Sequence, residues 1–130
     1  MKEVLFRKIE RLLESKPYIE FAYLFGSQAR MQADERSDWD IAVHFNKDPK
    51  KLPAWTVFSL EAELSKEIGE EAQVITLNRL KPPVLIFQII KDGILLIDNN
   101  PENRIIFEAQ TLSKYHDYQY YLKRQMAGNI

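Results

Sequence analysis

The fold of this chain is decided by residues 20–45, EFAYLFGSQARMQADERSDWDIAVHF. Residues 20–25 are rich in aromatic side chains and stop at Gly26, which predicts a buried strand. Residues 38–45, DWDIAVHF, alternate in polarity, which predicts a second strand with two different faces. The polar residues between them, 27–37, predict a short helix or turn followed by a loop.

The second predicted strand brings two carboxylates to one side. Alternation places Trp39, Ile41 and Val43 on one face, and Asp38, Asp40 and Ala42 on the other. Neighbouring carboxylates repel each other unless a cation lies between them, and Mg²⁺ typically takes one or two carboxylates together with phosphate oxygens and water. Gly26 allows a sharp turn, and Ser27 adds a hydroxyl and an amide that can bind phosphate. An Asp-x-Asp alone is usually a solvated edge, but this combination predicts phosphoryl or nucleotidyl transfer.

Helices and strands are predicted to alternate around these two strands. Helices are expected at residues 2–16, 54–68 and 82–91 and from Pro101, after an Asn100 cap, to about Met126; strands are expected at 72–77 and 94–97. The order αβ(α)βαβαβα predicts an α/β sheet with helices packed against it. We expect residues 1–130 to form one domain, because domains usually have about 100 to 200 residues.

The composition argues against several classes of protein. Eighteen Lys plus Arg against nineteen Asp plus Glu give a net charge of −1, whereas a general nucleic-acid binder is normally strongly basic. The absence of cysteine excludes disulfide frameworks and thiol nucleophiles. The spacing of the four glycines fits neither a dinucleotide-binding loop nor a phosphate-binding P-loop. No apolar run is long enough to span a membrane, so we expect a cytoplasmic protein.

Residues 25–43, FGSQARMQADERSDWDIAV, match the Gly-Ser-x10-Asp-x-Asp signature of the nucleotidyltransferase superfamily that includes polymerase beta. The small size resembles the minimal nucleotidyltransferase (MNT) branch. Residues 77–100, LNRLKPPVLIFQIIKDGILLIDNN, are similar to the MNT segment in which a helix leads to a short last strand. Residues 104–126 are similar to the C-terminal helix of MNT proteins. The resemblance implies a nucleotidyltransferase fold, with a mixed sheet of about four strands, packed helices and a long C-terminal helix.

The resemblance also implies a set of site residues. Gly26 and Ser27 would hold the phosphates of ATP, and Arg30 would help to neutralise them. Asp38 and Asp40 would be the catalytic residues and would bind two Mg²⁺ ions. MNT proteins commonly act as antitoxins of type VII HEPN/MNT toxin-antitoxin systems. Some are protein adenylyltransferases that move AMP from MgATP to a tyrosine of the HEPN ribonuclease toxin and so neutralise it.

One residue departs from the family pattern. The family often carries a third carboxylate on the next strand, and the corresponding residue here is Gln73, although Glu70 or Glu71 would substitute under another register. An amide cannot accept a proton as a base. The resemblance therefore leaves two alternatives to an active adenylyltransferase. One is an antitoxin that acts by binding only; the other is a nucleotidyltransferase for a small molecule or RNA.

Aromatic, histidine and lysine residues outside this signature allow weaker predictions. The C-terminal helix carries Tyr115, Tyr118, Tyr120 and Tyr121. Tyrosine is enriched at interfaces, so this helix is either a surface that binds the toxin or, through Tyr115, Tyr118 and Leu122, is packed on the domain. His44 shares the aspartate face and is expected to be structural. Lys47, Lys50 and Lys51 are expected to form a small basic loop near the site.

Overall fold

Four strands form one mixed sheet in the computed structural model, which describes residues 2–30 and 38–128. The strands are β1 (Ile19–Phe25), β2 (Trp39–Phe45), β3 (Ala72–Thr76) and β4 (Ile94–Asp98). Their order across the sheet is β3-β2-β1-β4. Strand β1 is antiparallel to β2 and β4, whereas β2 and β3 are parallel. The predicted mixed sheet of about four strands is confirmed.

The helices follow the predicted order with small differences at their ends. They are α1 (Lys2–Glu14), α2 (Gly26–Ala29), α3 (Thr56–Ile68), α4 (Pro83–Asp92) and α5 (Pro101–Gly128), with a 3₁₀ turn at Pro49–Lys51. The first helix ends before the predicted residue 16, because the hydroxyl of Ser15 donates to the carbonyl of Leu12 and Pro17 follows. Of the predicted turn and loop at 27–37, residues 31–37 lie outside the described residues.

The two faces of the sheet are covered by different helices. On one face, Trp39, Ile41 and Val43 are buried in a cluster with residues of α1 and α3. The opposite face carries a smaller cluster, in which Ala42 packs with Ile89 of α4 and Phe107 of α5 lies against it. The predicted alternation along β2 is therefore confirmed. It leaves the aspartates on the face that α4 and α5 cover, at the end of the sheet where β2 begins.

Helix α5 is attached to the domain by its first half. Asn100 caps it as predicted, because its side-chain oxygen accepts a hydrogen bond from the amide of Asn103. Further along, the Tyr115 ring stacks on Phe87 of α4, with ring centroids 3.9 Å apart. The packing predicted for Tyr118 and Leu122 is wrong, because both are exposed. The second half of α5 therefore offers its aromatic side chains to solvent.

The helices described above are too short or too polar for a membrane span. Within residues 2–30 and 38–128, no helix is both long enough and apolar enough to cross a membrane. Even α5, with 28 residues, carries charged side chains along its length.

Candidate active site

The predicted site residues meet where three strands lie side by side. In the sheet register Asp40 of β2 pairs with Phe25, the last residue of β1, and with Gln73 of β3. Gly26 follows Phe25 directly and begins α2. Asp38 immediately precedes β2, which starts one residue later than predicted. Residues that are far apart in the sequence thus come together at one end of the sheet.

Gly26 packs directly against the carboxylate of Asp40. Its φ of +75° lies in the left-handed region, which side chains disfavour. A Cβ built on Gly26 would lie 2.5 Å from Oδ2 of Asp40, too close for any real contact. Any residue other than glycine would therefore strain the backbone and displace the carboxylate.

The charges around Asp40 show that it shares its site with other ionised groups. Partial burial raises the pKa of Asp40, and the neighbouring charge of Asp38 raises this pKa further. The guanidinium of Arg30 acts in the opposite direction and lowers it. Arg30 therefore lies close enough to Asp40 to interact with it.

Gln73 lies opposite Asp40 on β3, where the resemblance implies a third carboxylate. Its side-chain amide donates a hydrogen bond to Oδ2 of Asp38 over 3.1 Å. Glu70 does not substitute for it, because the carboxylate of Glu70 accepts a hydrogen bond from the indole of Trp39, which belongs to the opposite face of β2. The register thus places an amide beside the two aspartates. Unlike a carboxylate, this amide cannot accept a proton as a base.

These residues fit a magnesium ion bound with substrate. The described residues contain no group of three or more His, Cys, Asp or Glu side chains that could hold a metal ion. The site of Asp38 and Asp40 instead offers two hard oxygen donors with like charge, a repulsion that a cation would relieve. Mg²⁺ commonly binds in this way, with one or two carboxylates and substrate phosphates.

The remaining predicted residues are divided between this site and the far end of the sheet. Ser27 is half-buried in the single turn of α2, beside Gly26. The lysine loop was predicted wrongly: Lys47, Lys50 and Lys51 follow the last residue of β2, whereas the aspartates lie where that strand begins. His44 points to the aspartate face as expected, but it contacts Glu20 and Phe21.

A match to a protein-family model supports the nucleotidyl-transfer site that this geometry indicates. The model for the polymerase beta nucleotidyltransferase domain matches residues 7–102, which include β1 to β4 and both sequence motifs. The chain belongs to the polymerase beta nucleotidyltransferase family. The predicted enzyme class and fold are confirmed at this level.

An individual protein and two solved structures are also similar to the chain. It is 26% identical over 109 residues to the protein adenylyltransferase MntA of Aphanizomenon flos-aquae, a match that covers 78% of this chain and 72% of MntA. The fold is shared with the toxin-antitoxin crystallised with AMP-PNP, at a TM-score of 0.77 and 24% identity over 95% of this chain and 96% of that one. It is also shared with the complex of a tri-AMPylated Shewanella oneidensis HEPN toxin and MNT antitoxin, at a TM-score of 0.74 and 23% identity over 98% of both chains.

Proposed function

We propose that this nucleotidyltransferase is an antitoxin that transfers AMP from MgATP to a tyrosine of a partner HEPN toxin in the cytoplasm and so neutralises it. The observation that carries the proposal is the close packing of Gly26 on Asp40, with Asp38 and Arg30 beside them. The similarity to the MntA adenylyltransferase, and the toxin complexes that share the fold, support the choice of acceptor.

In the proposed reaction the tyrosine oxygen attacks the α-phosphorus of ATP. A bond forms between that oxygen and phosphorus, the bond from the α-phosphorus to the oxygen leading to the β-phosphate breaks, and pyrophosphate leaves. Gly26 and Ser27 would hold the phosphates, and Arg30 would offset their charge. Asp38 and Asp40 would hold two Mg²⁺ ions, which in such sites stabilise the attacking and leaving oxygens.

The proton of the tyrosine has to leave during this step. Tyrosine has an ordinary pKa of about 10, so little of it is ionised at neutral pH. Gln73 cannot take the proton, since an amide is not a base. We therefore propose that the proton passes to water, with the carboxylates of Asp38 and Asp40 favouring its departure indirectly by holding the metal ions. If so, this chain transfers AMP more slowly than it would with a carboxylate in place of Gln73.

Intact-mass spectrometry tests the proposal. The purified chain is mixed with MgATP and the toxin encoded beside it, and an Asp38→Ala/Asp40→Ala double variant serves as the control. We expect one or more added AMP units on the toxin with the natural chain and none with the control. A stable complex without added mass would contradict the adenylyltransferase and favour the antitoxin that acts by binding only. A Gln73→Glu variant that then restored the added mass would identify Gln73 as the cause.

We propose that the exposed second half of α5 is the surface that binds the toxin. Tyr120 and Tyr121 are 63% and 58% exposed, and Met126 lies further along the same helix. Large rings with polar tips are typical of interfaces, where single aromatic residues can contribute about 2 kcal/mol or more. Little in the domain itself accounts for these side chains, because the helix is anchored by Tyr115, which stacks on Phe87, and by Glu108, which accepts a hydrogen bond from the hydroxyl of Tyr23.

A Tyr121→Ser substitution is expected to weaken the complex with the toxin by about thirtyfold, measured by calorimetry, because about 2 kcal/mol of interface energy is lost. The thermal unfolding midpoint should not change, since the side chain is exposed. Trp55→Ser and Phe58→Ser are matched controls: these rings are 68% and 76% exposed but lie at the start of α3, on the other face of the sheet, where Trp55 precedes the helix and Phe58 is in its first turn. Equal weakening by the α3 controls would contradict this placement of the interface.

A further inference from the structure

A cavity lies on the aspartate face of the sheet, at the opposite end of β2 from the candidate active site. Its volume is about 830 Å³, within the range of about 300 to 1,000 Å³ that is typical of small-molecule sites. His44 lines it, four residues beyond Asp40 on the same face of β2. At about 3.3 Å per residue, the two side chains are about 13 Å apart along the strand. The nucleotidyl-transfer chemistry proposed above does not use this cavity.

His44 is fixed in place by contacts on two sides. Its Nδ1 lies 3.1 Å from Oε1 of Glu20, a carboxylate that is only 6% exposed. Its ring stacks on Phe21, with centroids 4.5 Å apart and planes within 4°, and the ring of Phe107 meets it from α5 at 5.1 Å. An imidazole held in this way has lost its rotational freedom before any ligand binds.

The carboxylate of Glu20 reaches His44 through an irregularity in the sheet. Ile19 pairs with Phe45 and Phe21 pairs with His44, so Glu20 is an extra residue on β1. Such a bulge redirects a side chain, and bulges are over-represented beside functional sites. The other oxygen of Glu20 accepts hydrogen bonds from Asn103 and Asn100, over 3.0 and 3.4 Å. A buried carboxylate is costly unless it is paired, and these contacts hold Glu20 beside His44.

The cavity is strongly basic, although the chain as a whole is not. Its lining carries four cationic side chains, Lys50, Arg79, Lys81 and Lys114, against one carboxylate, Asp48. Within the described residues none of the four makes an ion pair. The net charge of the whole chain is −1, so positive charge is concentrated here. An unpaired group of cations around a concave surface favours a ligand with several negative charges.

The floor of the cavity is apolar, which favours a ligand that also has a flat apolar part. Leu77, Ile86 and Phe107 form it, and the first two are buried. Burial lowers the pKa of His44 against the opposing effect of Glu20, which favours the neutral imidazole. A neutral imidazole carries one donor and one acceptor nitrogen, so it can form hydrogen bonds with a hydroxyl or amino group of a ligand. A nucleoside supplies both groups and a flat ring, and its phosphates supply the charge.

We propose that this cavity is a second ligand site that binds a nucleoside phosphate, with the phosphates on the lysines and arginine and the nucleoside against His44 and Phe107. The site does not depend on AMP transfer, since it uses no residue of the candidate active site. It would bind its ligand without a divalent ion, because the cationic side chains themselves neutralise the phosphates.

Chemical-shift mapping by NMR tests the site, with ADP as the probe and EDTA present to remove divalent ions. We expect saturable shifts in the amides of Leu77, Phe107 and Thr111 and in the imidazole of His44. A Lys81→Ser/Lys114→Ser variant should bind ADP at least tenfold more weakly. The matched control Lys91→Ser/Lys123→Ser removes the same charge from exposed positions outside the cavity and should change the affinity less than twofold.

Two further probes separate the parts of the ligand. Pyrophosphate should shift the same amides with lower affinity than ADP, and adenosine should bind more weakly still. Pyrophosphate that bound as tightly as ADP would overturn the recognition of a nucleoside. Shifts confined to Gly26, Ser27 and their neighbours, the absence of saturation, or equal losses in the two lysine variants would overturn the site itself.

Discussion

An Asp40→Asn variant is expected to transfer AMP at least about a thousandfold more slowly than the natural chain. The amide is a weak ligand for Mg²⁺, and a lost metal contact in such a site costs several kcal/mol of transition-state stabilisation. About 4 kcal/mol corresponds to a factor of a thousand in rate. Transfer is measured as the rate at which AMP appears on the toxin at saturating MgATP.

The same variant should fold at least as well as the natural chain. Burial and the charge of Asp38 raise the pKa of Asp40 in the folded state, so at neutral pH the ionised carboxylate favours unfolding. Replacing it with a neutral amide removes that penalty, and the thermal midpoint should stay equal or rise. A Glu67→Gln control on α3 removes an exposed carboxylate from the other face of the sheet and should leave the transfer rate unchanged.

Neutralisation of the toxin by Asp40→Asn separates the proposed function from its first alternative. If AMP transfer neutralises the toxin, the variant should bind the toxin without suppressing its ribonuclease activity. Full neutralisation by a variant that transfers no AMP would show that binding is sufficient. Transfer at the natural rate would instead contradict the assignment of Asp40 to the site.

Much of this site can be predicted from the sequence because its signals are local. The alternation of DWDIAVHF determines which face the aspartates share, and Gly26 marks where β1 must turn. The register of β3 on β2 is a long-range property, yet it places Gln73 opposite Asp40, as the family pattern implied. The position of the lysine loop was not predicted correctly from its nearness to the aspartates in sequence. The loop follows the last residue of β2, so the full length of that strand separates it from the aspartates.

The contacts around His44 could not have been predicted in the same way. They depend on a bulge that inserts Glu20 into β1, and on α5, about sixty residues further along the chain, which brings Phe107 against the ring. No periodicity in the sequence indicates either the bulge or the contact with α5. The close approach of Gly26 to Asp40 also depends on the pairing of two strands, although the glycine itself was a visible signal.

A Gly26→Ala variant is expected to lose AMP transfer by at least about a hundredfold. Two separate effects act on it. An alanine at a φ of +75° costs about 1 kcal/mol of stability, because the left-handed region is strained for a residue with a Cβ. The new Cβ would also lie 2.5 Å from Oδ2 of Asp40 and push the carboxylate from its place. A displacement of about 1 Å in a catalytic group can cost about a hundredfold in rate.

Gly69→Ala isolates the second effect from the first. Gly69 ends α3 with a φ of +70°, so its alanine variant has the same backbone strain, but nothing lies within 4 Å of the added Cβ. In urea unfolding Gly69→Ala should lose about 1 kcal/mol, and Gly26→Ala should lose at least as much because its Cβ also displaces Asp40, while only Gly26→Ala should lose AMP transfer. If Gly69→Ala lost transfer equally, general destabilisation would account for both. If Gly26→Ala kept its full rate, the close packing of Gly26 on Asp40 would have no part in the chemistry.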